Sequence, residues 1–184
     1  MNQFKSRQAL VGVMVMALSI LPVASHAAGA HGGHSGHANF GSPAQVSAAG
    51  RTINVVMHDN YFEPESLSVE PGETVLFRIS NKGNLVHEFS LGTPETHAAS
   101  DDEMQMFVAH GVIQGNKLNR SMMTEGMGNG HSMSHAAPHR VLLAPGEEAE
   151  IAWTFAQAGA QPIEFACNVP GHYAAGMVGD VAVE

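Results

Sequence analysis

The sequence predicts a small all-β sandwich. About seven or eight short runs of alternating apolar and polar residues recur through residues 51–92 and 138–184, with turn signals between them. No helix-length segment separates consecutive runs within either piece, which excludes a parallel sheet of strand–helix–strand units. Residues 93–137 differ in texture and interrupt the pattern once, as a long insertion rich in His and Met.

In chain order, residues 1–27 read as a secretory signal peptide. Lys5 and Arg7 charge its start, Ala9 to Leu21 is an apolar run too short to span a bilayer, and Ser25-His26-Ala27 is a small-x-small cleavage site. That reading places the working protein in a bacterial periplasm, with no membrane span after cleavage. Residues 28–50, mostly Gly, Ala, Ser and His, offer little apolar surface to offset ordering entropy and read as a flexible His-rich tail. The sandwich domain spans 51–184, with 93–137 as its insertion.

Within the domain, Ile53 to Met57, Leu67 to Val69, Thr74 to Ile79 and Val86 to Leu91 predict strands. Glu63-Pro64-Glu65, Glu70-Pro71-Gly72-Glu73 and Asn81-Lys82-Gly83-Asn84 turn the chain between them. In the insertion, Asp101 to Val108 predicts a short helix behind Ser100 as N-cap, with Met104, Met106, Phe107 and Val108 packing on the sandwich. Ser121 to His135 shows no apolar periodicity. Strands return at Arg140 to Leu143, at Ala149 to Phe155, with Ile151, Trp153 and Phe155 on one face, at Ile163 to Cys167 and at Met177 to Val183.

Composition narrows the function. The 184 residues carry 8 Lys+Arg against 17 Asp+Glu, a formal net charge of −9, which argues against nucleic-acid binding. One Cys excludes an internal disulfide, a Cys-rich zinc site and a binuclear centre bridged by two thiolates. His (12) and Met (11) are abundant beside 14% charged residues, and these soft or borderline donors point to a transition metal.

The chemistry concentrates in Cys167-Asn168-Val169-Pro170-Gly171-His172-Tyr173-Ala174-Ala175-Gly176-Met177, a C-x4-H-x4-M loop between two strands. Cys167 ends one strand, Pro170-Gly171 bends the loop back, His172 sits on the bend and Met177 opens the next strand. A thiolate, an imidazole and a thioether then converge, and a second imidazole completes the ligand set of a mononuclear blue-copper site. His87, just after the Asn81 to Asn84 turn, stands in the right kind of place. Taken singly, Cys167 and Met177 would read as core filling and His87 as a satisfied strand histidine. It is their joint spacing that carries the metal reading.

Asn84-Leu85-Val86-His87-Glu88-Phe89 and the segment from Cys167 to Gly179 resemble the two ligand segments of cupredoxins, the plastocyanin/azurin family. The resemblance implies a Greek-key β-sandwich with copper near one end. It also implies His87, Cys167 and His172 as in-plane ligands, with Met177 as the weak axial one. Many family members carry Asn or a small polar residue after the first His. Here Glu88 stands there and alters the hydrogen bonding around the thiolate. The His/Met-rich segments resemble CopI-type cupredoxins of bacterial copper tolerance.

Those segments offer auxiliary copper ligands. His31, His34 and His37 in the tail suit Cu(II), while Met122, Met123, Met127 and Met133, with His131 and His135, offer Cu(I) a thioether-rich second site. No role is read for His58, His97 or His110. Two functions share the main site: copper homeostasis or tolerance, and one-electron transfer to a periplasmic redox or copper-handling partner. The partner would dock near His172 on an apolar patch of Val169, Pro170, Ala174 and Ala175. An enzyme is not expected, because one sandwich without a His-x-His pair lacks ligands for a second, catalytic copper.

Overall fold

The computed structural model describes residues 40–125, 137–157 and 161–184, which form a two-sheet sandwich. Its strands are β1 (Gly41–Pro43), β2 (Arg51–His58), β3 (Tyr61–Glu63), β4 (Ser66–Val69), β5 (Thr74–Asn81), β6 (His87–Gly92), β7 (Ile113–Gln114), β8 (Lys117–Leu118), β9 (Arg140–Leu143), β10 (Glu148–Phe155), β11 (Ile163–Ala166) and β12 (Val178–Val183). Three helices, α1 (Pro94–Ala99), α2 (Asp101–Ala109) and α3 (Arg120–Glu125), lie between β6 and β9 in the chain. One sheet runs β1-β10-β5-β2-β3 and the other β4-β12-β11-β6-β9, while β7 and β8 form a separate hairpin. Neighbours are mostly antiparallel, but β2 runs parallel to β5 and β4 parallel to β12.

Alternation puts the core where the sequence pattern implies. Val55 and Met57 of β2, Val75, Phe77 and Ile79 of β5, and Ile151, Trp153 and Phe155 of β10 are buried. Phe62, Phe77, Phe89, Phe155 and Phe165 interlock between the sheets at centroid distances of 5.1 to 6.3 Å, mostly in the edge-to-face geometry that aromatic quadrupoles favour. β6 breaks the alternation. All six of its residues are buried, because α1 packs against β6 and β11. Glu88 and Ser90 therefore lie inside the protein.

Three expectations need correction. The domain is mostly β rather than all-β, and residues 94–125 of the insertion carry helices and a hairpin. The first helix begins at Pro94, where Thr93 and Thr96 cap each other: the Thr96 N–H donates to Thr93 Oγ1 and the Thr93 N–H to Thr96 Oγ1. Ser100 sits at the N-cap of α2, but its hydroxyl donates backwards to the Thr96 carbonyl. In α2, Met104 and Phe107 are buried while Met106 and Val108 are exposed, so the inward face is one i, i+3 pair.

Second, part of the expected 28–50 tail belongs to the sandwich. β1 pairs with the edge of β10, and Phe40 is buried, stacked on Trp153 at 5.1 Å. One large ring supplied the apolar area that a Gly/Ala/Ser composition hid. Third, β3 was missed. Asp59-Asn60 is its turn signal, with Asn60 at a φ of 73°.

Candidate metal centre

Two chain segments converge at one end of the sandwich. The first is the turn before β6. Buried Asn81 donates through Nδ2 to the carbonyls of Leu85 and Leu143, both at 2.8 Å, and its Oδ1 accepts from the Gly83 N–H at 2.9 Å. The Val86 N–H donates to the Gly115 carbonyl of the β7–β8 turn at 2.8 Å. The insertion thus braces the residue just before His87.

The second segment is the loop from Cys167, one residue past β11, to Met177, one residue before β12. The Cys167 N–H donates to the Met177 carbonyl at 3.1 Å and closes the loop at its base. The His172 N–H donates to the Val169 carbonyl at 2.9 Å, and the Met177 N–H to the His172 carbonyl at 3.0 Å. Gly171 and Gly176 bend the loop at φ of 88° and 97°, which side-chain-bearing residues rarely adopt.

His87 Nδ1 lies 3.1 Å from His172 Nδ1 and 3.9 Å from Cys167 Sγ, and Cys167 Sγ lies 3.3 Å from His172 Nδ1. Three donors sharing one first-row ion at about 2.1 Å would stand about 3.6 Å apart. The observed triangle brackets that spacing, so the donors fit a small transition-metal ion with shifts of a few tenths of an ångström. Two imidazoles and a thiolate with a buried thioether nearby are a donor set for copper. Met177 is fully buried at the base of the loop. Copper held there supplies a Cu(I)/Cu(II) couple.

Burial sets the protonation of the donors. Desolvation pushes the Cys167 thiol up to about 12, against a backbone N–H bond from Glu88 at 3.3 Å that favours the thiolate. Metal binding must therefore displace that proton. Desolvation lowers both ligand imidazoles, and in His172 the neighbouring His87 adds to the effect. Both are ready as neutral ligands at neutral pH. His87 Nε2 faces Asp59 Oδ1 at 3.0 Å.

Glu88 answers the question its sequence position raised. Its side chain is buried, and Oε2 accepts from the Asn168 side-chain amide at 2.7 Å and from the Asn168 N–H at 3.3 Å. A carboxylate beside the first ligand thus ties down the residue after the Cys, joining the two ligand segments. Asn168 Oδ1 in turn faces His97 Nδ1 at 3.2 Å, which gives buried His97 of α1 a place in the network.

The sequence reading missed Asp59, Asn81 and His97. Asp59-Asn60 carries a turn signal, but nothing local to Asp59 or His97 announces a partner so distant in sequence. Among the auxiliary candidates, Met122 is exposed on α3 and Met123 packs against the core; consecutive helical residues do not face each other. His31, His34, His37, Met127, His131, Met133 and His135 lie outside the described residues. His58 stacks on Tyr61, and His110 bonds the Met106 carbonyl. Val169 is buried, so of the expected apolar patch only Pro170, Ala174 and Ala175 are exposed around half-buried His172.

Fold and site together define a mononuclear copper-binding sandwich protein. The profile of copper binding proteins of the plastocyanin/azurin family matches residues 49–184, and the chain belongs to that family. Over 151 residues it is 43% identical to the copper-resistant cuproprotein CopI of Pseudomonas aeruginosa, covering 79% of this chain and 82% of that one. It is 40% identical over 145 residues to the CopI protein of Rubrivivax gelatinosus, covering 78% and 73%. The solved structure of auracyanin B superposes with a TM-score of 0.51 at 22% identity, over 80% of this chain and 99% of that chain, a likeness of fold. The chain is thus a CopI-like copper-binding cupredoxin with a His87/Cys167/His172/Met177 site, a binding protein rather than an enzyme.

Proposed function

We propose that this protein confers copper tolerance in the bacterial periplasm, taking up copper at the His87/Cys167/His172/Met177 centre. The observation that carries the reading is the donor set itself: a buried thiolate and imidazole closed beneath a half-exposed His172, in a chain similar to proteins named for copper resistance. Burial of His87 and Cys167 shields bound copper from solvent chemistry, and the edge of His172 gives the metal a way in. In this reading residues 1–27 direct export, and His31, His34 and His37, with the Met122 to His135 segment, recruit copper to the centre.

The test is growth on copper of a strain lacking the gene, complemented with wild type or with Cys167→Ser. Tolerance restored by wild type and not by the variant supports the reading; equal restoration contradicts it. Replacing His31, His34 and His37 by Ala should leave the visible spectrum intact and lower total copper bound, and unchanged stoichiometry would remove the tail from the account.

A second reading, one-electron transfer to a periplasmic partner, is favoured by exposed Pro170, Ala174 and Ala175 around His172. Such a patch suits docking of a redox or copper-handling protein. A strain whose copper tolerance is normal but whose periplasmic electron transport fails would favour it.

A further inference from the structure

We propose that Asp59 is a positioning residue for the copper centre, whose carboxylate charge, one hydrogen bond from ligand His87, biases bound copper towards Cu(II). The inference rests on the reading of His87 as a copper ligand.

Asp59 follows β2, in the turn that Asn60 bends into β3. Its Oδ1 faces His87 Nε2 at 3.0 Å and accepts from the Asn84 N–H at 2.8 Å and the Leu85 N–H at 3.2 Å. Its Oδ2 accepts from the Asn84 amide at 2.9 Å. Three donors of the 84–85 turn therefore aim one carboxylate at the far nitrogen of a fully buried imidazole. Room for it is reserved at Gly83, where a Cβ would lie 2.4 Å from Asp59 Oδ1 and 2.9 Å from His87 Nε2.

Two consequences follow. An ionised carboxylate only accepts, so the His87 proton sits on Nε2, and the Nδ1 lone pair faces Cys167 Sγ and His172 Nδ1. The charge also acts across the ring. A fixed anion stabilises the more positive of two metal states, and a bond to it makes the imidazole a stronger donor. An aspartate carboxyl is ionised at neutral pH, and the N–H groups of Asn84 and Leu85 on its two oxygens favour the charged form, so the charge is present at working pH.

Asp59 also staples the 84–85 turn, and the experiment must separate the staple from the charge. Asp59→Asn does so: an Oδ1 remains for His87, Asn84 and Leu85, and the Asn84 amide can rotate to meet the new amide group, while the charge is lost. In the copper-loaded protein the thiolate charge-transfer bands should persist. The ratio of Cu(II) to Cu(I) affinity should fall tenfold or more, a rise in reduction potential of about 59 mV or more for one electron. Bands retained with an unmoved potential would overturn the inference and leave the copper site standing. Independently of any variant, 15N NMR of the metal-free wild type should show His87 protonated on Nε2, and protonation on Nδ1 would overturn the positioning role. If wild type itself lacks the bands on copper loading, the copper-site reading fails and takes this inference with it.

Discussion

The two imidazoles of the centre are held by different means. His87 begins a strand whose six residues are all buried, behind a turn tied by Asn81 and a carboxylate from a different hairpin. His172 sits in a loop stabilised by its own backbone bonds and two positive-φ glycines, with neighbours open to solvent. One ligand is fixed by distant parts of the fold and the other by its local loop. The buried side holds the donor geometry, and the loop side leaves the metal accessible.

Breaking either side should give distinct signatures. The largest effect belongs to the shared donor: Cys167→Ser should abolish intense visible absorption of the copper-loaded protein, measured by optical spectroscopy. Next, on the buried side, Gly83→Ala forces its methyl group against Asp59 and His87. It should lower copper affinity about 10- to 100-fold, the usual cost of disturbing a partner of a ligating histidine, as read by competition with a chelator. Glu88→Ala strands the buried Asn168 amide that bridges the two sides. It should cost the metal-free protein about 1.5–3 kcal/mol in urea unfolding.

Proton release sharpens the comparison further. With the Cys167 thiol pushed up to about 12 and both ligand imidazoles depressed, each copper bound releases about one proton, that of Cys167, near neutral pH. The bound state has lost that proton, so affinity rises with pH, about tenfold per unit, and falls on acidification. Titrations at several pH values check the slope. A flat profile would mean that the thiol is not displaced. The smallest effect is expected on the exposed face of β5, where Arg78→Ala removes an ion pair to Glu150 and should change stability by less than about 1 kcal/mol.

The ligand loop was legible in the sequence because Cys167, His172 and Met177 are close in the chain and their spacing encodes the fold-back. The strands were legible where one face meets the core, as in β5 and β10. Legibility stopped where a contact is long-range. Asp59 lies 28 residues before His87, and Phe40 reaches Trp153 across 113, so neither leaves a periodic trace. β6 misled by a different route, since a covering helix buries the face that alternation assigns to solvent. In the insertion, the helix behind Ser100 was legible from its cap and its Met104 and Phe107 pair, whereas the shorter α1, the β7–β8 hairpin and α3 carry too few apolar residues to leave a period.

The central claim is that His87, Cys167, His172 and Met177 hold one copper ion. Its most direct test is a Cu(II) titration of the purified protein followed by optical and EPR spectroscopy, then reduction. Intense sulfur-to-copper charge-transfer bands that saturate with the first equivalent and bleach on reduction are the predicted result. Copper bound with only weak bands would contradict the claim, because Cys167 would then stand outside the metal's ligand set.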